Sequence, residues 1–424
     1  MIVLLIAAIV WRRAKLIAMD RIVVVGASLA GLWACESLRS GGYVGTITLI
    51  GAESHQPYDR PPLSKALLKG DWEPERIQLR KPGELESLGL DLRLGTTATG
   101  FDASSRTVTI KSAEAIDADG VIIATGSTPR PLPNQPDLDG VTMLRTLDDS
   151  LALRRRLADQ PRVVVIGAGF IGLEVAATAA QSGCAVTVLE GAPAPLMRGL
   201  GSEMGSVVAR VHVRNGVDVR CAVSVMAIEG VDGRVTGVRL GSGEIVPADV
   251  VVVGIGVSPA TEWLVGSGLE IRDGIVCDDT LRAAPGIYAA GDCARWVNNL
   301  FGDVGEEMRV EHWTNAAEQG ASAAKNLLAE LAGKVAQPYA PVPFFWSDQF
   351  DSRIQFVGRA HGDDEVRVVA GDLDGNFMAL YGHAGRLRGV LGVNMPKPVM
   401  RCRKLLAERA SWDDAIGHAS TVAQ

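Results

Sequence analysis

The chain has 424 residues, 47% of them hydrophobic, and a formal net charge of −7. At about 150 residues per domain, this length predicts roughly three domains with ample apolar content for large cores. The acidic balance argues against a general nucleic-acid-binding protein.

The chain begins with an apolar segment, Met1 to Trp11, which is followed by Arg12, Arg13 and Lys15. The segment is shorter than the roughly 20 residues that a helix needs to span a bilayer. A secretory signal would carry its basic residues before the apolar run. Three interpretations fit: a true start at Met19, a weak interfacial anchor, or a disordered tail. Basic residues beside an anchor would still keep the body of the protein in the cytoplasm.

The first predicted folding unit is a strand–helix–strand segment, with strands at Arg21 to Val25 and Thr46 to Ile50. The turn after the first strand has the G-x-G-x-x-G spacing of dinucleotide-binding loops, with serine in place of the middle glycine. Serine is small and its hydroxyl can donate to a phosphate, so a pyrophosphate at the helix N-terminus is compatible with this loop. An acid just past the second strand is the candidate partner of a ribose hydroxyl. The candidate residues are Gly26, Ser28, Gly31 and Glu53.

A complete version of the same pattern runs from Arg162 to Glu190. Its first glycine allows a tight turn, its second lets the backbone approach a pyrophosphate, and its third lets the helix pack closely on the sheet. Glu190 ends the second strand, where an acid accepts a hydrogen bond from a ribose 2′-OH and favours NADH over NADPH. Arg198 could contact the NADH phosphates or ribose, or a 2′-phosphate, although Glu190 opposes the last. The candidate NAD residues are Gly167, Gly169, Ile171, Gly172, Glu174, Glu190 and Arg198.

The remaining strands are assigned from apolar runs between turn residues. Three are expected to complete the sheet of the second unit: Val217 to Cys221, Gly237 to Leu240 and Asp249 to Val253. Beyond a helix that ends at Leu331, four more predict an antiparallel sheet: Ile354 to Val357, Val366 to Val369, Phe377 to Tyr381 and Leu387 to Val393.

The cysteines and histidines indicate no metal or nucleophile site. The six cysteines include no C-x-x-C pair, so neither a zinc ribbon, an iron–sulfur set nor a redox disulfide is predicted. Reduced thiols in a cytosolic protein are expected instead. The six histidines are scattered without metal-ligand spacing.

Six further segments carry motifs: Gln56 to Lys65, Val121 to Gly126, Pro129 to Pro133, Gly286 to Cys293, Val310 to Ala316 and Pro343 to Gln349. These motifs resemble those of the FAD-dependent, NADH-dependent ferredoxin reductases. Those enzymes serve cytochrome P450 and Rieske oxygenase systems, and apoptosis-inducing factor is a relative. The resemblance covers nearly everything from Asp20 to Ile416.

The resemblance implies a glutathione-reductase-like α/β fold with two Rossmann-like dinucleotide-binding domains, the NAD domain being inserted in the FAD domain, and a C-terminal α+β domain. The order of the motifs agrees, since the Gly291-Asp292 motif returns after the NAD fingerprint. The expected domains are an N-terminal extension (1–18), the FAD domain (19–128 and 255–332), the NAD domain (129–254) and a C-terminal ferredoxin-docking domain (333–424).

The resemblance also implies roles for residues around FAD. Asp292 is expected to bind the ribityl chain, and Thr125 and Gly126 to contact the cofactor through their backbone. Arg60 and Arg130 are expected near the isoalloxazine–pyrophosphate side, with solvated surface charges as the other interpretation. The implied FAD site comprises Gly26, Ser28, Gly31, Glu53, Arg60, Lys65, Thr125, Gly126, Arg130, Asp292, Trp313 and Trp346.

The remaining features near the expected flavin are a helix, a histidine and a tryptophan. The helix that opens near Asn315 would point its N-terminus at the flavin and stabilise negative charge on it. His312 either borders the flavin or is a core histidine. Trp346 either approaches the flavin from the ferredoxin side or is a buried core tryptophan.

Lys65 and Glu174 are the candidate catalytic residues. By the resemblance they form an ion pair beside flavin N5, in which Lys65 favours electron density on the flavin and Glu174 receives the nicotinamide amide. Glu174 also lies on the first turns of the NAD helix by sequence alone. An acid that merely stabilises the helix dipole is the other interpretation.

The sequence therefore predicts a cytoplasmic FAD-dependent NADH:ferredoxin oxidoreductase. Its partners would be a separate acidic iron–sulfur ferredoxin and, downstream, a P450 or Rieske oxygenase. A C-terminal basic stretch is either the docking surface or a solvated helix face: Lys397, Arg401, Arg403, Lys404 and Arg409. Two alternatives are a membrane-associated NADH:quinone reductase, which contacts the membrane through Met1 to Trp11, and a low-turnover flavoprotein with a binding role, as in apoptosis-inducing factor.

Overall fold

The computed structural model describes residues 20–301 and 307–422. The apolar segment Met1 to Trp11 lies outside these residues, so the three interpretations of it stay predictions. The chain divides into two compact units, each made of three stretches. Unit 1 comprises Met1–Asp59, Gln78–Ser127 and Pro259–Pro343, and unit 2 comprises Arg60–Ile77, Thr128–Ser258 and Phe344–Gln424.

The α-helices of the described residues are, in chain order, α1 (Leu29–Ser40), α2 (Ala66–Lys69), α3 (Leu147–Leu157), α4 (Phe170–Gln181), α5 (Met197–Arg214), α6 (Trp313–Leu331), α7 (Pro396–Ala407) and α8 (Trp412–Val422). Short 3₁₀ helices cover Pro61–Ser64, Pro74–Ile77, Glu86–Leu88, Glu262–Leu264 and Gly291–Cys293.

The strands up to the end of the second fingerprint unit are β1 (Arg21–Val25), β2 (Thr46–Ile50), β3 (Leu90–Arg93), β4 (Ala98–Asp102), β5 (Thr107–Ile110), β6 (Ala115–Asp117), β7 (Gly120–Ile123), β8 (Ser127–Pro129), β9 (Val141–Thr142), β10 (Arg162–Ile166) and β11 (Ala185–Leu189). Those that follow are β12 (Asp218–Arg220), β13 (Val225–Val231), β14 (Arg234–Leu240), β15 (Ile245–Pro247), β16 (Val250–Val253), β17 (Val257–Pro259), β18 (Ile275–Cys277), β19 (Arg282–Ala284), β20 (Ile287–Ala289), β21 (Ala294–Val297), β22 (Glu307–Met308), β23 (Phe344–Gln349), β24 (Ser352–Gly358), β25 (Glu365–Gly371), β26 (Phe377–His383) and β27 (Arg386–Val393).

Unit 1 is built on a six-stranded sheet in the order β19-β20-β7-β1-β2-β3, parallel except for β19. The apolar runs of β1 and β7 are buried, as expected of parallel strands with both faces covered. Helices α1 and α6 pack closely against each other. Gly320 allows this approach, since a Cβ there would lie only 2.1 Å from the carbonyl oxygen of Ala30. Two three-stranded sheets, β4-β5-β6 and β18-β21-β22, complete this unit.

Unit 2 contains a parallel five-stranded sheet in the order β12-β11-β10-β16-β9. The predicted strands Val217 to Cys221 and Asp249 to Val253 belong to it as β12 and β16. The prediction for Gly237 to Leu240 was wrong, because β14 pairs with β13 and β15 in a separate antiparallel sheet. The burial of β14 alternates along the strand, which suits a sheet with one exposed face and not a parallel strand covered on both.

The C-terminal part of unit 2 is an antiparallel sheet in the order β23-β24-β27-β26-β25, with α7 packed against β24 and β27. This confirms the predicted antiparallel sheet and adds β23, which the sequence had indicated only as a motif. Phe356 and Tyr381 of this sheet share one hydrophobic cluster with Leu173 and Val207, so the sheet packs against the α4 and α5 helices of the same unit. The predicted domain boundaries are not tested by this division and stay predictions.

Candidate functional site

The loop after β10 has the geometry that a dinucleotide pyrophosphate requires. Gly167 has a φ of +103°, and a Cβ there would lie 2.4 Å from the Gly254 carbonyl oxygen. A Cβ at Gly172 would lie 2.3 Å from the Gly167 carbonyl oxygen, so this glycine allows α4 to approach the strand. Gly169 precedes α4, and a Cβ there would meet nothing within 4 Å. The space beside Gly169, next to the helix N-terminus, is therefore open, which fits a bound NAD pyrophosphate.

Glu190 is oriented by backbone N–H groups of this loop and of the segment after β11. Its carboxylate accepts hydrogen bonds from the N–H groups of Ala168 (2.7 Å) and Ala192 (2.8 Å). Each oxygen keeps lone pairs for a ribose hydroxyl. Ile171 and Arg198, the other predicted NAD contacts of this region, have exposed side chains.

The loop after β1 repeats this geometry in unit 1. A Cβ at Gly26 (φ +121°) would lie 2.0 Å from the Ala124 carbonyl oxygen, and one at Gly31 would lie 1.9 Å from the Gly26 carbonyl oxygen. Ser28 precedes α1 with an extended φ of −129° and makes no capping hydrogen bond through its side chain. An L-residue adopts this φ without strain. Serine therefore fits the middle position, and the loop fits an FAD pyrophosphate.

Asp292 is half-buried in unit 1, beside the buried side chain of Ser127. Its carboxylate accepts a hydrogen bond from the Ser127 hydroxyl at 2.8 Å. The neighbouring Gly291 N–H donates to Gln319 Oε1 at 2.8 Å, and the buried Gln319 Nε2 has no hydrogen-bond partner within the described part of the chain. A cofactor rich in acceptor atoms fits such a donor. Ser127 and Gln319 were not predicted; Ser127 directly follows the predicted Gly126.

Further predicted FAD residues are held by local contacts in unit 1. The Thr125 hydroxyl donates to the Ala260 carbonyl oxygen at 2.8 Å. Gly126 has a φ of +71°, a conformation that favours glycine. The Glu53 carboxylate accepts a short hydrogen bond from the Tyr58 hydroxyl, which fixes its position after β2.

Two predicted arginines are tethered within unit 2. Arg60 donates from Nη1 to the Arg145 carbonyl oxygen at 2.6 Å, and Arg130 donates from Nε to the Ser258 hydroxyl at 2.9 Å. Both side chains are half-buried. These contacts favour held guanidinium groups over freely solvated surface charges.

The predicted aromatic residues are also placed by contacts within their own units. Trp313 opens α6 and donates from Nε1 to Asp59 Oδ1 at 2.7 Å. Burial lowers the pKa of His312, which precedes this helix, to about 4, so its ring is neutral near pH 7. In unit 2, Trp346 stacks on Phe344 with ring centroids 6.0 Å apart and is half-buried.

Lys65 and Glu174 form an ion pair in unit 2, although 109 positions separate them in sequence. Lys65 Nζ lies 2.6 Å from Glu174 Oε2, and their side chains are 20% and 3% exposed. The same oxygen accepts a hydrogen bond from the Ser64 hydroxyl, and Glu174 Oε1 accepts one from the Ser347 hydroxyl at 2.6 Å. A carboxylate so enclosed is fixed in orientation, because charge-assisted hydrogen bonds are the strong ones.

Ser64 and Ser347 are functional candidates that sequence reasoning missed. Ser64 precedes Lys65 and Ser347 follows Trp346, so each stands beside a residue that was predicted. Adjacency in the two motifs was the available signal. Neither position indicates by itself that both hydroxyls meet one carboxylate.

Cysteine thiols and groups of possible metal ligands are the remaining candidate features of the described residues. All six cysteines are free, and burial raises the pKa of the Cys35 and Cys277 thiols. Residues 20–301 and 307–422 contain no cluster of three or more His, Cys, Asp or Glu side chains that could hold a metal ion. In the same ranges no helix is long and apolar enough to cross a bilayer.

A cleft of about 340 Å³ lies in unit 2 between α5 and the C-terminal sheet. None of its lining residues is a predicted site residue. Gln349, on its wall, is hydrogen-bonded to Ser347 at 3.0 Å. The cleft is therefore separate from the predicted nucleotide contacts but connected to the Glu174 environment.

Comparison with known proteins gives two family matches. Residues 20–320 match the model of the pyridine nucleotide-disulphide oxidoreductases, and residues 344–421 match the model described as reductase C-terminal. Together they extend over both units.

Individual relatives agree with these matches. Rhodocoxin reductase of Rhodococcus erythropolis is 41% identical over 91% of this chain and 89% of its own length. Putidaredoxin reductase of Pseudomonas putida is 35% identical over 92% of each chain. The crystal structure of the covalent putidaredoxin reductase–putidaredoxin complex superposes with a TM-score of 0.87 at 33% identity, covering 95% of this chain and 99% of the other.

Proposed function

The chain belongs to the pyridine nucleotide-disulphide oxidoreductase family, among the ferredoxin reductases of P450 and Rieske oxygenase systems, and from this membership we propose how its residues perform the reaction. It is an NADH-dependent, FAD-containing reductase that passes electrons to a separate ferredoxin. The observation that carries the proposal is the repetition of one loop geometry, once in each unit. Two dinucleotide loops in one chain suit a nucleotide donor and a bound carrier.

FAD, when bound, supplies a carrier that accepts two electrons together and gives them up singly. The unit 1 loop, with Ser28 and the N-terminus of α1, holds its pyrophosphate. Asp292, oriented by Ser127, accepts a hydrogen bond from its ribityl chain. Thr125 and Gly126 contact it through their backbone.

NADH is held by the corresponding loop of unit 2. The backbone at Gly169 and the N-terminus of α4 bind the pyrophosphate, and Glu190 accepts a hydrogen bond from the adenosine ribose. Because two backbone N–H groups fix the Glu190 carboxylate, a 2′-phosphate would meet an immobile negative charge. This arrangement selects NADH.

Lys65 and Glu174 serve the transfer itself. The Lys65 ammonium favours electron density on the flavin, and the Glu174 carboxylate receives the nicotinamide carboxamide. Neither residue needs to move a proton. Both residues bind and orient the reacting groups, and a misplacement of about 1 Å can slow such a transfer about 100-fold.

The protein is proposed to act in the cytoplasm, which suits a chain whose six cysteines are all free. Two alternatives keep their own tests. A membrane-associated quinone reductase depends on the segment Met1 to Trp11, and a binding flavoprotein depends on a very slow turnover. Neither is favoured by a contact within the described residues.

The function is tested on the purified holoenzyme by its visible spectrum, followed by anaerobic addition of NADH or NADPH. A yellow protein that NADH bleaches rapidly and NADPH slowly, and that then reduces an added ferredoxin, is the expected result. A colourless protein that cannot be reconstituted with FAD would overturn the proposal. A yellow protein that NADH fails to reduce would leave only the binding flavoprotein.

A further inference from the structure

The two oxygens of Glu174 are held by different parts of unit 2. Ser64 and Lys65, at the end of the Pro61–Ser64 3₁₀ helix, donate to Oε2, whereas Ser347 of β23 donates to Oε1. Loss of the Ser347 hydroxyl would therefore leave the carboxylate anchored at one oxygen. The terminal Cγ–Cδ torsion of Glu174 would then be restrained through one oxygen only, and torsions of this kind have broad wells.

Strand β23 runs along helix α4 in a register that brings Ser347 to Glu174. Phe345, Ser347 and Gln349 share one face of the strand, because side chains alternate. Phe345 packs on Phe170 at the start of α4, with ring centroids 4.8 Å apart. Two strand residues advance about 6.6 Å and four helix residues about 6 Å. Ser347 consequently meets Glu174, one helical turn beyond Phe170.

The hydrogen bond of Ser347 is the end of a buried chain with a fixed direction. A carboxylate only accepts, so the single Ser347 proton goes to Glu174 and its oxygen must accept from Gln349 Nε2, 3.0 Å away. Gln349 Oε1 then faces His212 Nε2 at 2.9 Å, which must carry the proton. Ser347, Gln349 and His212 are 0%, 1% and 0% exposed. Burial lowers the pKa of His212, in keeping with a neutral ring in this chain.

Packing alone does not account for a series of buried hydrogen-bonded groups, because apolar residues of similar volume often give a core equal or greater stability. Its neighbours on the sheet, such as Phe356, are apolar. Every donor in the chain points toward Glu174, and hydrogen bonds aligned in one direction polarise one another. The arrangement thus concentrates donor strength on one carboxylate oxygen.

We propose that Ser347 is a positioning residue for hydride transfer: through its hydrogen bond, supported by Gln349 and His212, the C-terminal sheet sets the orientation in which Glu174 receives the nicotinamide. The proposal rests on the function proposed above. It assigns the C-terminal domain a part in the NADH half of the reaction. Ser347 touches neither nucleotide in this role and acts only through Glu174.

The test compares Ser347→Ala with Ser267→Ala in the FAD-loaded enzyme. Ser267 is also buried, and its hydroxyl accepts a hydrogen bond from the Leu269 N–H of unit 1. It takes no part in the hydrogen bonds that link Ser347, Gln349 and His212. In anaerobic stopped flow, Ser347→Ala is expected to slow flavin reduction at saturating NADH about tenfold, a typical effect of losing a hydrogen bond to a charged group. Ser267→Ala should reduce at the wild-type rate, and both should keep FAD.

Two readouts separate positioning from a structural role. The first is the long-wavelength absorbance of the complex between NAD⁺ and the reduced enzyme, which Ser347→Ala should weaken because the nicotinamide is less ordered. The second is a double-mutant cycle: in a Glu174→Ala background, Ser347→Ala should have no further effect on the reduction rate. Electron transfer from chemically reduced enzyme to ferredoxin should be unchanged.

A wild-type reduction rate in Ser347→Ala, or an equal slowing in the Glu174→Ala background, would overturn the proposal. If Ser347→Ala fails to fold, Ser347→Cys fills the site with a weak donor, and the same slowing is expected. A wild-type enzyme that NADH does not reduce is a different result, which rejects the proposed function and not the positioning role alone.

Discussion

At the scale of single residues, the position of Glu190 makes nucleotide selection testable. Two backbone N–H groups hold its carboxylate at the second fingerprint. We predict that Glu190→Ala lowers the ratio of kcat/KM for NADH to that for NADPH by about tenfold, equivalent to ~1.4 kcal/mol of discrimination. Steady-state kinetics with both nucleotides measure the ratio. Glu203→Ala removes an exposed acid from α5 and should leave it unchanged; an unaltered ratio in Glu190→Ala would contradict the assignment.

His212 makes the stability of the protein depend on pH. Burial lowers its pKa below the ordinary value near 6.5. At a pH between the pKa of His212 in the folded state and its pKa in the unfolded state, the unfolded chain binds a proton that the folded chain does not. The free energy of unfolding therefore falls as the pH drops below about 6.5. Above that pH the contribution is constant. His312, whose pKa is lowered to about 4, acts with the same sign.

His212→Gln isolates one of these two contributions, since glutamine keeps an amide donor in place of Nε2–H and does not titrate. We predict that its unfolding free energy falls less steeply than that of the wild type between pH 7.5 and 5.5. Urea unfolding at several pH values measures both slopes, and His312 is present in both proteins. Parallel curves would show that His212 has no shifted pKa.

At the scale of elements, two glycines of one loop are predicted to fail in different ways. Gly172→Ala forces a Cβ to 2.3 Å from a backbone oxygen and should destabilise unit 2 by about 1–3 kcal/mol. Gly169→Ala meets no protein atom within 4 Å, so the fold should be kept while NADH affinity falls about tenfold or more. Thermal unfolding and NADH titration of the two variants distinguish them. Equal loss of stability in both would contradict the open space at Gly169.

The same loop shows which features a sequence can predict. A fingerprint is local: strand, glycine spacing and helix lie within one continuous stretch, so the turn at Gly167 and the packing at Gly172 follow from residue type. The hydrogen bond from Ser347 to Glu174 joins residues 173 positions apart, and only the register of β23 on α4 brings them together. For β14, hydrophobic content indicated a strand but not its partner, because pairing depends on which faces are buried.

At the scale of the whole molecule, the reaction joins two electron transfers. NADH gives two electrons together to FAD, and FAD gives them singly to a ferredoxin. The proposed NADH contacts Gly169, Gly172 and Glu190 lie in unit 2, while the proposed FAD contacts Gly26 and Asp292 belong to unit 1. The C-terminal sheet belongs to unit 2 and contributes Ser347 to the environment of Glu174. One domain thus bears both on the nucleotide half of the cycle and, by the sequence prediction, on ferredoxin docking.

The docking surface is predicted to include the exposed side of α7. Lys397, Arg401 and Lys404 are exposed along this helix, on a protein whose net charge is −7. A local basic surface on an acidic protein steers an acidic partner, and steering weakens as salt screens it. Neutralising the three residues with glutamine should lower the second-order rate constant for ferredoxin reduction about tenfold at low ionic strength and flatten its dependence on salt.

The control for this prediction must change the overall charge equally. Glutamine at Lys81, Lys111 and Lys334, which are exposed in unit 1, removes the same three positive charges from elsewhere on the chain. Because a global charge effect depends on net charge, it would slow both triple variants alike, whereas a docking surface slows only the α7 variant. Flavin reduction by NADH should be normal in both, since neither triple includes a nucleotide contact. Equal slowing of the two variants would place the ferredoxin elsewhere and leave the basic face of α7 as solvated charge.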